Sequence, residues 1–191
     1  MIESPRSATV KRVAALKQKP ERTETGLALL EGPQVVREAL VHAPDTLEEL
    51  FLTQEAVQRH APLLALAEEA GLEVEIATDA ALAAMADTRT PQGVVAVARP
   101  ALVRLRDVLD AGSRLVVILD EVRDPGNAGT IIRAADAAGA DAVILTGTSV
   151  DPYNPKVVRA TTGSLFHLGV AAGATLAAAV CLYASAFAQR A

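Results

Sequence analysis

The sequence predicts an α/β protein in two parts. Three observations carry that expectation. Short β-prone runs alternate with helical stretches along most of the chain. The joints between them are brief and rich in glycine, proline and asparagine. Apolar residues make up 51% of the chain and aromatics 3%. Such a composition suits parallel strands and close-packed helices more than a platform for stacked bases. At 191 residues there is room for one large domain or two small ones.

In the first part, residues 7–18 read as a basic helix. A short strand over 25–30 runs into Glu31, Gly32 and Pro33, and the proline opens a helix over 34–41. A strand follows over 47–52, then a helix over 61–70 ended by Gly71, and a strand over 72–77. Asp79 is placed to cap a helix over 80–86. Residues 93–98 form a near-continuous β run. Residues 1–100 are therefore assigned to a first domain. Residues 101–113 are assigned to a linker with a short helix exposing Arg104 and Arg106, and 114–191 to a second domain.

The second domain opens with an apolar strand over 115–119 that stops at Asp120. A turn on Asp124, Pro125, Gly126, Asn127 and Gly129 leads to a helix over 130–138. A strand over 142–145 ends in Thr146, Gly147 and Thr148. A turn over 151–155 precedes a helix begun by Pro155 and broken at Thr162, Gly163 and Ser164. Residues 165–170 lead back toward a strand, and 176–189 form a last helix.

A strand, a glycine turn and a helix start make a place for polar ligands. Gly126 and Gly129 let backbone approach a ligand, and Asn127 offers a donor and an acceptor. Arg133, further along the helix, can reach a phosphate or ribose. A capped turn with a surface arginine is the plainer reading. A dinucleotide fingerprint is excluded, because the glycines are spaced GxxG and the second strand ends in Thr146 rather than an acid.

Lys156 and Arg159 are three apart, so one helix face can present both to a phosphate. Tyr153 and His167 read as a turn aromatic and a strand-end histidine rather than a stacking residue and a base. His42 and His60 have no second ligand close in sequence, so no metal site is expected. Cys181 is the single cysteine and reads as a buried small hydrophobe.

The net charge of −5 argues against coating nucleic acid by bulk electrostatics. The charge is uneven, however. Arg6, Lys11, Arg12, Lys17, Lys19 and Arg22 face only Glu3 and Glu21 within the first 22 residues. This stretch is either a solvated helix or a contact for RNA phosphates. No charged and apolar leader pattern opens the chain, which predicts a cytoplasmic protein. Residues 170–188 have the length of a membrane span, but Gly173 and many small alanines favour a packed helix.

The stretch DPGNAGTIIRAADAAGA, residues 124–140, resembles the first signature motif of the SpoU (TrmH-type) RNA ribose methyltransferases of the SPOUT superfamily. DPYNPKVVRATTGSLFHL, residues 151–168, resembles the approach to their second motif and the motif itself. LLEGPQVVREAL (29–40) and TRTPQGVVAVA (88–98) resemble the start and end of the family's RNA substrate-binding domain, a small α/β fold shared with certain ribosomal proteins.

The resemblance implies methyl transfer from S-adenosylmethionine to a ribose 2′-hydroxyl of rRNA or tRNA, with no metal. It implies catalytic roles for Asn127 and Arg133, and a methyl donor beside Thr146, Gly147 and Gly163. The charge pattern adds candidate RNA contacts at Arg6, Lys11, Arg12, Lys156 and Arg159. Some branches carry a glutamate near the position of Phe166. A homodimer through the second domain is implied as well. The family's third motif is not recognisable, and 171–175 reads as a joint where the SPOUT-like domain is internally shortened. On that expectation the full trefoil knot does not form and the donor pocket is incomplete. The alternative is then an RNA-binding protein impaired in catalysis.

Overall fold

The computed structural model describes residues 1–108 and 113–188. The first part runs α1 (Ala8–Ala15), α2 (Lys19–Thr25), β1 (Ala28–Glu31), α3 (Pro33–His42), β2 (Leu47–Leu52), α4 (Gln54–Arg59), α5 (Ala61–Glu69), β3 (Val74–Ile76), α6 (Asp79–Met85) and β4 (Val94–Ala98). Its strands pair in the order β1-β4-β2-β3. Central β4 reads VVAVA and is buried along its whole length, as a strand covered on both faces must be. It runs antiparallel to β1 and β2, while β3 joins β2 in parallel.

Pro33 begins α3, which buries Val35, Val36, Ala39 and Leu40 on one stripe. The short helices α2 and α4 were not apparent in the hydrophobic pattern. Each has a local cause. Pro20 sits in the first turn of α2, and the Thr53 hydroxyl caps α4 by accepting from the Ala56 amide. Thr78, not Asp79, caps α6, accepting from Ala81 N at 3.3 Å; Asp79 is already helical.

The second part runs α7 (Leu105–Val108), β5 (Val116–Asp120), α8 (Pro125–Ala137), β6 (Ala142–Thr146), α9 (Pro155–Thr161), β7 (Gly169–Ala174) and α10 (Leu176–Ala188). β5, β6 and β7 lie side by side in chain order, all parallel, with β6 buried throughout. Residues 171–174, read from sequence as a shortened joint, are the second half of β7 and pair with β6. Thr175 connects this strand directly to α10 and accepts from Ala178 N at 3.2 Å. Residues 109–112 of the expected linker, and 189–191, which include the expected last helical residue Gln189, lie outside the described residues.

The turn expected at 124–129 is helix. Asp124 caps α8 by accepting from Asn127 N at 2.7 Å, and Pro125 takes the first helical position, where its missing N–H costs nothing. Gly129 is therefore an inward helical residue. A Cβ there would lie 2.4 Å from the Ala160 Cβ and 2.9 Å from the Val157 carbonyl of α9. The glycine serves helix-on-helix approach rather than a ligand.

The two parts share one core. A single apolar cluster runs from Leu30, Val36 and Leu40 to Tyr153, Val157 and Leu165. Tyr153 is 2% exposed, and its hydroxyl accepts from Ala101 N at 2.8 Å. Burial, with the nearby Asp151 charge, pushes its pKa up to about 12. The turn-aromatic reading of Tyr153 accords with this placement.

Cys181 corrects an expectation, since it lies exposed on α10. Ala179 is the inward residue there, while Leu176, Val180 and Leu182 face outward. Among the described residues no helix is long and apolar enough to cross a membrane.

Replacing Gly129 by alanine tests the α8–α9 contact. Alanine gains about 0.5–1 kcal/mol of helix preference over glycine. Overpacking against α9 costs about 1–3 kcal/mol, which outweighs this and leaves a net loss of up to about 2 kcal/mol. The urea midpoint should fall accordingly, and a midpoint equal to or above that of the parent would contradict the packing.

Candidate active site

The carboxyl ends of β5, β6 and β7 open on one side, where open parallel sheets generally accept ligands. Thr146 ends β6 fully buried, its hydroxyl 2.7 Å from Asp120 Oδ1 at the end of β5. Gly147 follows at φ 62°, donating its N–H to the Ala174 carbonyl at the end of β7. The β5 and β6 loops are then sewn together. Val122 N donates to Ser149 Oγ at 3.1 Å, and Val150 N to the Val122 carbonyl at 2.8 Å.

Glu121 is the central tie. It adopts φ 55°, a left-handed conformation that a side chain of this kind rarely takes. Its carboxylate accepts from Thr148 N at 3.0 Å, from the Thr148 hydroxyl, and from Arg123 Nη2 at 3.1 Å. The two Thr148 bonds, with Arg123 adding to them, lower its pKa to about 2. A Cβ on residue 147 would lie 2.1 Å from Glu121 Oε1. Gly147 is thus favoured by its backbone angle, and a side chain there would displace the Glu121 carboxylate from Thr148.

Between these loops and α2 lies an open crevice of about 600 Å³. Leu145, Gly147, Thr148, Val150, Ala172 and Gly173 form its sheet side, and Lys19, Arg22 and Thr23 its opposite rim. Arg22 is buried, with Nη2 2.7 Å from Asp151 Oδ2 and Nη1 donating to the Leu16 and Lys17 carbonyls. It fixes the rim and is not available to a ligand.

The residues singled out from the sequence separate into groups. Gly147 lines the crevice, and Thr146, fully buried, precedes it at the end of β6. Asn127 is exposed in the first turn of α8, beside the loop that Val122 ties to Val150. Arg133 is exposed on α8, eight residues past its first residue Pro125. At about 1.5 Å per residue this puts it roughly 12 Å along the helix. It has no hydrogen bond or ion pair among the described residues and does not line the crevice. Gly163 stands apart from both. It is buried at φ 107°, and a Cβ there would meet Glu38 Cγ of α3 at 2.3 Å. The fold sets it at a close contact between the two parts, and it is not among the crevice-lining residues.

Several expected RNA contacts are engaged elsewhere. Arg12 pairs with Glu49 through two bonds of 2.8 and 2.6 Å. Arg159 does not share a phosphate with Lys156. It turns to Asp87 at 2.9 Å and Glu31 at 3.5 Å, because α9 packs against the first part. Lys17 donates to the Ala84 and Ala86 carbonyls. Arg6, Lys11 and Lys156 remain exposed.

The histidine expectation also changes. His42 was read as lacking a second ligand, yet the fold brings Glu38 and His167 to it. His167 lies between a short 3-10 turn (Ser164–Phe166) and β7, with Nδ1 2.8 Å from Asp136 and Nε2 3.0 Å from Glu38. Burial disfavours the imidazolium, but the Glu38 and Asp136 hydrogen bonds outweigh it and raise the His167 pKa. Burial likewise works against the Glu38 carboxylate, and the bonds and charges of His167 and Arg37 more than offset it. No local motif announces this group, because His42 and His167 are far apart in sequence.

Comparison with known proteins places this geometry. Residues 29–102 match the domain described as RNA 2′-O ribose methyltransferase substrate binding, and 114–188 match the SpoU rRNA Methylase family. The AdoMet-bound rRNA methyltransferase of Sinorhizobium meliloti superimposes with a TM-score of 0.82 at 33% identity, over 97% of this chain and 68% of that one.

The chain belongs to the SpoU methylase family.

Among curated relatives, the 23S rRNA (guanosine(2553)-2′-O)-methyltransferase of Bacillus subtilis is 37% identical over 88% of this chain. The 23S rRNA (uridine(2479)-2′-O)-methyltransferase of Streptomyces viridochromogenes is 33% identical over 81%. The chain spans 63% of the former's length and 54% of the latter's. The SpoU AviRb structure with AdoMet matches at a TM-score of 0.78 and 28% identity.

The Glu121 tie has a defined pH dependence. Its folded pKa, about 2, lies below the ordinary 4.5. Its contribution is therefore complete above 4.5 and is lost as pH falls through about 2. Hydrogen exchange at the Thr148 amide should stay slow, relative to its intrinsic rate, down to the upper edge of that window and quicken within it. In Glu121→Gln the amide should be fast throughout. Equal protection in the two proteins would remove Glu121 as the tie.

Proposed function

We propose that this chain carries the family's chemistry, methylation of a ribose 2′-hydroxyl in ribosomal RNA with S-adenosylmethionine as donor. The observation that supports it most is the crevice at the strand ends, built by the segment that follows β6 and by the end of β7. Its sheet side suits an adenosine-sized ligand. Gly147 and Gly173 put no side chain in the way, Leu145, Val150 and Ala172 give apolar surface, and Thr148 a polar edge. S-adenosylmethionine supplies a methyl group on a sulfonium, electrophilic without help from a metal.

The chain's own residues then have separate tasks. Glu121, Thr146 and Ser149 hold the two loops rigid, and rigidity of this kind lowers the cost of orientation. Asn127, with its amide free to donate and accept, is set to orient substrate beside the loop. Arg133 offers N–H donors and no acceptor, so it is not read as a base. Its task is to hold RNA and stabilise the ribose alkoxide as the hydroxyl proton leaves. Free cations at Arg6, Lys11 and Lys156 supply further phosphate contacts.

We also infer a homodimer through the second part. Leu115, Leu176, Val180 and Leu182 are each at least 40% exposed, which a second copy would cover. A cytoplasmic location accords with an exposed, unpaired Cys181, which suits a reducing compartment.

Calorimetric titration with S-adenosylmethionine tests the donor reading, and heat with one-to-one stoichiometry is expected. No heat at millimolar donor, with RNA binding intact, would replace it by an RNA-binding protein without catalysis. If donor binds, Arg133→Ala should lower methyl transfer at least tenfold with donor affinity unchanged; equal turnover would take Arg133 out of the mechanism.

Removing Arg6 and Lys11 together should reduce the slope of log K against log salt. About 0.7 is lost per single-strand phosphate contact, hence roughly 1.4 for the pair. An unchanged slope would place RNA elsewhere.

A further inference from the structure

The cluster joining α3 to the second part is built as more than an ion pair. Three atoms converge on one point. Glu38 Oε2 lies 3.0 Å from His167 Nε2 and 3.4 Å from His42 Nε2, and all three lie within 4.8 Å of one another. Ligands of a tetrahedral zinc ion, with bonds of about 2.0–2.1 Å, stand about 3.3–3.4 Å apart. The two imidazole rings face each other at 4.3 Å, tilted by 59°.

The surroundings orient each ligand. Glu38 Oε1 is occupied by Gln34 Nε2 at 2.8 Å and Arg37 Nη1 at 2.7 Å, which leaves Oε2 directed at the two rings. Asp136 holds His167 Nδ1 at 2.8 Å, the carboxylate–histidine arrangement that fixes a ring for metal ligation through Nε2. Gly163, with no Cβ, allows the Glu38 stem to pass against it. Glu38 is 8% exposed, whereas His42 and His167 are open enough to leave a fourth position for water.

We propose that Glu38, His42 and His167 form a site for a divalent first-row cation of the zinc class, joining α3 of the first part to the segment before β7. Imidazole and carboxylate together suit zinc or cobalt(II) rather than magnesium or calcium, which prefer oxygen alone. The ion takes the place of the protons that otherwise let two Nε2 atoms share one carboxylate oxygen, so loading releases protons. Its place between the two parts makes it a staple, remote from the crevice-lining residues.

Tag-free full-length chain, stripped with chelator and dialysed, is titrated with zinc and, separately, with cobalt(II) at neutral pH. One ion per chain is expected, with the visible absorption of four-coordinate cobalt and a rise in thermal midpoint on adding zinc. His42→Ala, a change at an exposed position, should fold as judged by circular dichroism and lose both the absorption and the rise. Asp136→Asn should weaken zinc binding roughly 10–100-fold. Failure to take up stoichiometric zinc at micromolar free metal, or uptake shared equally by the parent and His42→Ala, overturns the site.

Discussion

Everything in this molecule rests on where α9 lies. Its apolar side, with Val157 and Val158 fully buried, is sandwiched between α8 and the first sheet. Three local features allow it. Gly129 lets α8 come close, Asn154 caps the helix by accepting from Lys156 N at 2.9 Å, and Thr162 ends it in a left-handed turn. The helix thereby fixes the 147–153 segment ahead of it and the Gly163–His167 segment behind it. The crevice and the histidine cluster are opposite ends of the same constraint.

The second part depends on the first for stability as well as position. Its sheet has three strands, of which β5 and β7 are edges, and β5 is only partly buried over Val116–Ile118. So small a unit buries little apolar surface by itself. The shared cluster supplies what is missing, and buried polar contacts specify the docking. Arg22 is 5% exposed at its side chain and Asp151 20%. Removing one partner of such a pair costs about 3–5 kcal/mol, a large share of the roughly 5–15 kcal/mol that keeps a domain folded. The pair is weak evidence for net stability but a strong penalty on misdocking.

The sequence made the alternation of strands and helices legible. Pro33, Pro155 and Gly71 punctuate the chain, and VVAVA and AVILT announce buried strands. The start of α8 was misplaced because Pro-Gly-Asn is ordinarily turn composition. Proline at a first helical position and a glycine facing another helix are both invisible without the neighbour that makes use of them. The strand-end turn at Gly147, which lines the crevice, was legible because it is local. The rest was hidden because it is not local. Glu121 adopts a conformation that its residue type does not advertise, and Glu38 meets His167 across 129 positions.

Charge shows the same limit more sharply. A count along the first 22 residues gives a basic patch, but a count of free cations gives a smaller one. Arg12, Lys17 and Arg22 are each bound to a named acceptor, and Arg159 is held by two carboxylates. The unpaired remainder of that stretch is Arg6, Lys11 and Lys19, and a polyanion meets these together with the exposed Arg89, Lys156 and, on the outer face of α8, Arg133. Because steering falls off over a Debye length of about 8–10 Å, only cations on the same side of the molecule act together. On the proposed function, RNA recognition rests on where these few free charges stand, while the paired ones hold the two parts together.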